Sequence, residues 1–202
     1  MNTKYKTPDT IHKIEELDMS AKYSYADYLQ WKFEERVEII KGRVFQLAAP
    51  RRKHQEVSAE LFMQLKNHIN NSKCKAYFAP FDVRLPISKD EKKTETVVQP
   101  DICIICNPEI LDEKGCNGAP DLIVEILSPS TSEKDATIKF DLYEEVGVKE
   151  YWMVYPELNL LDVFLLNDKR KYQFIRKYAA IQKVPVNILE GCRIDLEKVF
   201  QD

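Results

Sequence analysis

Two carboxylates set in otherwise apolar segments carry the chemistry of this chain. In Gly118-Ala-Pro-Asp-Leu-Ile-Val-Glu-Ile-Leu-Ser-Pro-Ser-Thr131, alternation over residues 121 to 127 makes a strand. Asp121, Ile123, Glu125 and Leu127 fall on one face, and Leu122, Val124 and Ile126 on the other. A carboxylate in a buried strand is costly unless it is paired, hydrogen-bonded or bound to a cation, so Glu125 asks for a metal or a basic partner. Val97-Val-Gln-Pro-Asp-Ile-Cys-Ile-Ile105 is also strand-like and carries Asp101. If the two strands pair, Asp101 and Glu125 converge on one cation. Oxygen ligands suit Mg²⁺ or Mn²⁺, which commonly bridge to phosphate. Such an ion polarises a phosphoryl oxygen and lowers the pKa of the water that attacks it. Asp121 lies roughly 13 Å from Glu125 along an extended strand, too far to share one ion, and is expected to cap a turn or support the site from behind.

A lysine near this pair would stabilise charge on the phosphate or orient the water. Ser130-Thr-Ser-Glu133 has capping-box spacing. The helix it opens is expected to run through Val146 and to end at Gly147, in the position of a C′ glycine. On that helix Lys139 shares a face with Ala136, Tyr143 and Val146, which makes it an inward-facing base.

The elements that must position these groups follow from the same kind of pattern. Ser24 to Trp31 begins with an N-cap residue and reads as a short helix. Glu35 to Ala49 reads as a hairpin turning at Lys41-Gly42. Val57, Leu61, Leu65 and Ile69 recur every four residues, so a core-facing helix is expected from about Lys53 to Asn70. Lys75 to Phe81 and Asp82 to Leu85 read as two strands, or one strand kinked near Pro80. Ser88 to Thr96 reads as a loop, and so does the stretch holding Gly115 and Gly118. Tyr151 to Tyr155 is a buried-strand run, and Leu160 to Leu166 pairs with Lys171 to Tyr178 around Asn167-Asp168. The expected fold class is α/β, a central mixed sheet flanked by helices, with a polar lead-in over 1–20 and a single domain over 21–202.

The 202 residues are 44% hydrophobic and 31% charged, long enough to bury a core without staples. No apolar run approaches the roughly 20 residues that span a bilayer, and the start lacks the apolar stretch of a secretory signal. The cytoplasm is therefore expected, with no membrane partner. Five cysteines at irregular spacing fit reduced thiols better than a disulfide framework. Cys103 and Cys106 form a CxxC, but their odd offset on a strand aims them at opposite faces, which favours small packing residues over zinc. A net charge of −3 neither supports nor excludes nucleic acid, since a local patch such as Arg51-Arg-Lys-His54 can act without shifting the total.

These residues together resemble a family. Gln99-Pro-Asp101, the Gly118 to Thr131 segment, Lys139-Phe-Asp-Leu-Tyr143 and Gly147-Val-Lys-Glu-Tyr-Trp152 look like the Uma-type restriction endonucleases of the PD-(D/E)XK superfamily. Val37-Glu-Ile-Ile-Lys-Gly-Arg43 and Pro50 to His54 resemble its N-terminal pattern, and the match runs in order over roughly residues 24 to 180. The resemblance implies a restriction-endonuclease-like fold and a metal-dependent endonuclease acting on nucleic acid, most readily DNA. Asp101 and Glu125 would hold Mg²⁺ or Mn²⁺, and Glu38 matches an early acidic residue of the family. The superfamily places a lysine two residues after the acidic one; Leu127 stands there, and the lysine is displaced to the following helix as Lys139. His54, Arg51, Arg52 and Lys53 are candidates for DNA contact or support. By analogy with restriction enzymes a homodimer is expected. The rival reading is a weak or inactive member of the fold that binds nucleic acid or protein. A third reading keeps the chemistry and acts on branched DNA or RNA.

Overall fold

Ser24 accepts from the backbone of Asp27 while the Asp27 carboxylate accepts from the backbone of Ser24, a capping box that opens α1 (Tyr25–Tyr28). The expected hairpin follows as β1 (Val37–Ile40) and β2 (Arg43–Gln46). Lys41 at φ 51° and Gly42 at φ 83° both enter the left-handed region, as a two-residue turn between right-twisted strands requires. Helix α2 (Arg52–Ile69) buries Val57, Leu61, Leu65 and Ile69, the stripe visible in the sequence. The computed structural model describes residues 10–70, 72–86, 94–127 and 133–201.

Most strands belong to two six-stranded sheets. The central one takes β3 (Lys75–Phe78), β6 (Ile102–Ile105), β9 (Leu122–Ile126), β10 (Glu150–Tyr155), β11 (Leu160–Leu166) and β12 (Tyr172–Ala179). Its order is β12-β11-β10-β9-β6-β3. Only β9 and β10 run parallel; the other neighbours are antiparallel. The expected alternation along β9 holds. Leu122, Val124 and Ile126 join the α2 stripe in one core cluster. Ile123 joins the opposite one with Leu142 and Tyr143 of α3 (Glu133–Val146). Helix α3 ends as expected at Gly147, φ 91°, whose N–H donates to the Tyr143 carbonyl. The residues before Glu133 that belong to the expected capping box lie outside the described set.

The second sheet has the order β2-β1-β5-β4-β8-β7, with β4 (Val83–Arg84), β5 (Val97–Val98), β7 (Leu111–Asp112) and β8 (Gly115–Asn117). It lies over the α3 side of the central sheet, and Ile40, Val83, Leu85, Val98 and Cys116 share a cluster with Ile123 and Tyr143. The sequence reading and the structure part at the next two corners of the chain, while the two strands expected over 75–85 are found. The strand read over 97–105 is broken at Gln99-Pro100-Asp101, with β5 in one sheet and β6 in the other. Proline cannot donate to a ladder, and the chain crosses between sheets at that corner. Likewise β3 and β4 belong to different sheets, and the loop read around Gly115 contains the short β7–β8 hairpin. A two-stranded sheet of β13 (Lys183–Pro185) and β14 (Arg193–Asp195), then α4 (Leu196–Val199), follow.

The expected lead-in is better packed than its polarity suggests: Leu17 is buried with Trp31, Val37, Ile39 and Val44, and Ile11 and Ile14 lie against them. The thiol reading is also corrected. Cys74 and Cys106 form a disulfide, one step beyond the Lys75↔Ile105 pair of the β3–β6 ladder. Cys103, Cys116 and Cys192 are free and buried. Among the described residues no helix is long and apolar enough to cross a membrane.

Candidate active site

The β6–β9 register pairs Ile102 with Val124, and continuing it by one residue sets Asp101 opposite Glu125. Asp101 is held there by its own carboxylate, whose Oδ2 accepts from Ile126 N at 2.7 Å. Its Oδ1 lies 3.2 Å from Nε2 of His54, at the start of α2. Glu125 points to the other side of the sheet from α2 and meets two donors from α3. Lys139 Nζ stands 3.0 Å from its Oε1, and the Tyr143 hydroxyl donates to the same oxygen at 2.6 Å. Glu38 comes from β1 of the second sheet. Only 2% exposed, it accepts from Lys139 Nζ at 2.9 Å and from Gln99 N at 2.8 Å on Oε1. One ammonium thus bridges two carboxylates from two sheets.

Charge is unbalanced in this cluster. Lys139 is kept firmly protonated: burial alone would lower its pKa, but the Glu125 and Glu38 charges and hydrogen bonds override that. Glu125 nevertheless has a raised pKa, because burial and the Asp101 and Glu38 charges outweigh the attraction of Lys139. One ammonium holds its own proton among these acids, yet it does not offset the burial of Glu125 and the two carboxylates beside it. His54 titrates above its ordinary value although burial opposes it, since Asp101 accepts its hydrogen bond and Glu125 adds negative potential.

Glu38, Asp101, Glu125, Lys139 and His54 line one cleft of about 350 Å³, together with Arg36, Gln99, Leu127 and Tyr151. Among the described residues no three His, Cys, Asp or Glu side chains converge as a ready-made metal cage. Two carboxylates form the smaller kind of set that Mg²⁺ accepts while keeping several waters. The surplus of buried negative charge fits a divalent ion.

Of the residues singled out from sequence, Asp101, Glu125, Lys139, Glu38 and His54 come together, and Arg51 lines the mouth. Arg52 turns along the helix to Glu56 at 2.8 Å, and neither it nor Lys53 lines the cleft. Asp121 stays apart: it accepts from Cys106 N at 2.7 Å and pairs with Lys149 Nζ at 2.6 Å, bracing backbone. Leu127 lines the cleft where a lysine was expected, and the amine arrives from α3 instead. Sequence reasoning missed Tyr143 as a partner of Glu125, although it sits one turn from Lys139 on the same face. It also missed Gln99, whose backbone N–H anchors Glu38; no side-chain pattern reports a backbone donor.

Comparison with known proteins bears on the family and the fold. The Uma2 family model, described as "Putative restriction endonuclease", matches residues 25–197. A Synechocystis relative, "Uncharacterized protein slr1290", is 27% identical over 150 residues, 73% of this chain and 76% of its own. The crystal structure of "a putative nuclease belonging to DUF820" from Anabaena variabilis superposes with a TM-score of 0.68 at 19% identity, covering 88% of this chain and 97% of that one. At that identity the superposition speaks to the fold, which is shared. With its site groups drawn from β1, the Pro100 corner, β9 and α3, all inside the matched span, the chain belongs to the Uma2 restriction-endonuclease family.

Proposed function

We propose that this chain is a divalent-metal-dependent endonuclease that hydrolyses phosphodiester bonds, with DNA as its substrate. The observation that carries the reading is the meeting of Glu38, Asp101, Glu125 and Lys139 in one cleft, where a single ammonium is shared by two buried carboxylates. Asp101 and Glu125 would hold Mg²⁺ or Mn²⁺. When bound, that ion supplies Lewis-acid polarisation of the phosphoryl oxygen and a more acidic water. Lys139 brings a fixed positive charge to the developing phosphorane, and its two carboxylate partners keep it protonated and in place. Glu38 acts through Lys139 rather than on the phosphate. Tyr143 fixes the Glu125 carboxylate by holding Oε1. His54 orients Asp101.

Two copies acting together would cut both strands, and the cytoplasm is where such a substrate is met. A catalytically inactive binding role is the alternative for a chain with Leu127 at the usual lysine position; the inward-facing Lys139 ammonium favours the enzyme. The deciding experiment measures cleavage of plasmid, linear duplex, single-stranded DNA and RNA with Mg²⁺ or Mn²⁺. Loss of metal-dependent cleavage in Asp101→Asn and Glu125→Gln supports the reading. Unchanged cleavage in both variants refutes it.

A further inference from the structure

Arg36 lines the same cleft and takes no part in the chemistry above. Its carbonyl accepts from Leu47 N at 2.9 Å, which extends the β1–β2 ladder by one pair. Arg36 and Glu38 therefore lie on the same strand face, on the order of 7 Å apart along the chain. Nε and Nη2 of Arg36 both donate to Gln99 Oε1, at 3.1 and 2.9 Å. That oxygen is a neutral amide. Among the described residues no carboxylate pairs with the guanidinium, whereas Lys139, Lys149 and Lys171 all sit in ion pairs.

The amide itself is fixed from behind. Gln99 Nε2 donates to Asp82 Oδ1 at 2.9 Å and to the Tyr28 hydroxyl at 3.4 Å, so its oxygen has to face Arg36. Asp82 also takes the Tyr25 hydroxyl at 3.5 Å. The result is a chain Asp82–Gln99–Arg36 that orients a guanidinium without neutralising it. An arginine built as a structural ion pair would have been given a carboxylate. One held by a neutral acceptor keeps its charge and its outer N–H groups for an anion arriving from the cleft.

We infer that Arg36 is a phosphate-binding residue that grips the nucleic-acid backbone beside the scissile position, with Gln99 as the positioning residue that aims it. This assignment rests on the nuclease reading and adds where the substrate strand runs: from the Lys139 ammonium toward the β1–β2 end of the cleft.

The test is binding of fluorescein-labelled duplex DNA, followed by anisotropy over a salt series, with Ca²⁺ in place of Mg²⁺ and again with chelator. Arg36→Ala is expected to weaken binding about tenfold and to reduce the salt slope by about one. Arg36→Lys should restore the slope and only part of the affinity, since an ammonium cannot reproduce the planar fork. Gln99→Leu removes the acceptor that aims the guanidinium and adds no charge, so affinity should fall toward that of Arg36→Ala although Arg36 itself is retained. The exposed Arg193→Ala serves as the control and should change neither quantity. Thermal melting of each variant reports its fold. If Arg36→Ala matches the wild type in affinity and slope while Glu125→Gln abolishes cleavage, the Arg36 assignment fails alone. A wild-type chain that binds no nucleic acid under either condition overturns this assignment and the nuclease reading together.

Discussion

Tyr143 donates its hydroxyl to Glu125 Oε1 at 2.6 Å, on the oxygen that also receives the Lys139 ammonium. Both donors come from successive turns of α3, so a single helix face presents the carboxylate with a fixed orientation. Removing the hydroxyl leaves Glu125 with one partner fewer in a buried site. Tyr143→Phe should destabilise the fold by about 1.5–3 kcal/mol, the range for a hydrogen bond to a charged group. Urea denaturation followed by fluorescence measures this. A variant as stable as the wild type would mean that the hydroxyl contributes nothing to holding Glu125.

Lys139 and the carboxylates should separate in their effects. Lys139→Met removes the charge aimed at the phosphate and should lower kcat at least about 100-fold. Calorimetric Mn²⁺ binding should persist in this variant, or tighten, because the ion no longer competes with the ammonium. Asp101→Asn and Glu125→Gln should lose both cleavage and Mn²⁺ binding. If Mn²⁺ binding disappears in Lys139→Met and survives in Glu125→Gln, the assigned roles are reversed.

The pH dependence of stability has a definite sign. Glu125 titrates above its ordinary 4.5 in the fold, pushed up to about 7 chiefly by burial. A raised carboxyl contributes stability fully below 4.5, and that contribution is lost as pH rises to about 7. His54, also raised, acts in the same direction above its ordinary 6.5. The metal-free chain should therefore melt at lower temperature as pH climbs through this window, and Glu125→Gln should flatten the trend. Adding Mg²⁺ should recover stability most at the upper end, where the ligands are ionised. Melting curves that rise over the same window would contradict the buried-charge account.

Reduction of Cys74–Cys106, which are separated by 32 residues, should lower stability by about 4 kcal/mol through the freed unfolded chain. Thermal melts with and without a phosphine reductant measure it. The Cys74→Ala, Cys106→Ala double variant should melt near the reduced protein and ignore the reductant. A wild-type melt that does not respond would show the pair to be unimportant for folding.

What could be read from the sequence was what short-range patterns encode. The alternation around Glu125, the four-residue stripe of α2 and the stop at Gly147 each follow from neighbours along the chain, and each is found. The inward face of Lys139 belongs to the same class. What escaped depends on partners distant in sequence. Pro100 was visible, but nothing local says that β5 and β6 part there into separate sheets. The Cys74–Cys106 bond follows from the β3–β6 register, and the His54–Asp101 contact from where α2 crosses the central sheet. Gln99 is the sharpest case. Its contribution to Glu38 is a peptide N–H, a group that every residue except proline carries.

The three residues at the corner between β5 and β6 have a consequence for how this site tolerates change. Gln99 N sets Glu38, the Gln99 side chain sets Arg36, and Asp101 faces Glu125, all within one short bend. Glu38 and Glu125 ride on different sheets, and the Lys139 amine spans them like a tie rod. Any tilt of one sheet over the other would stretch that span. Small-to-large changes at Val83, Ile123 or Leu142, in the layer between the sheets, should therefore impair turnover without touching a single polar group of the cleft.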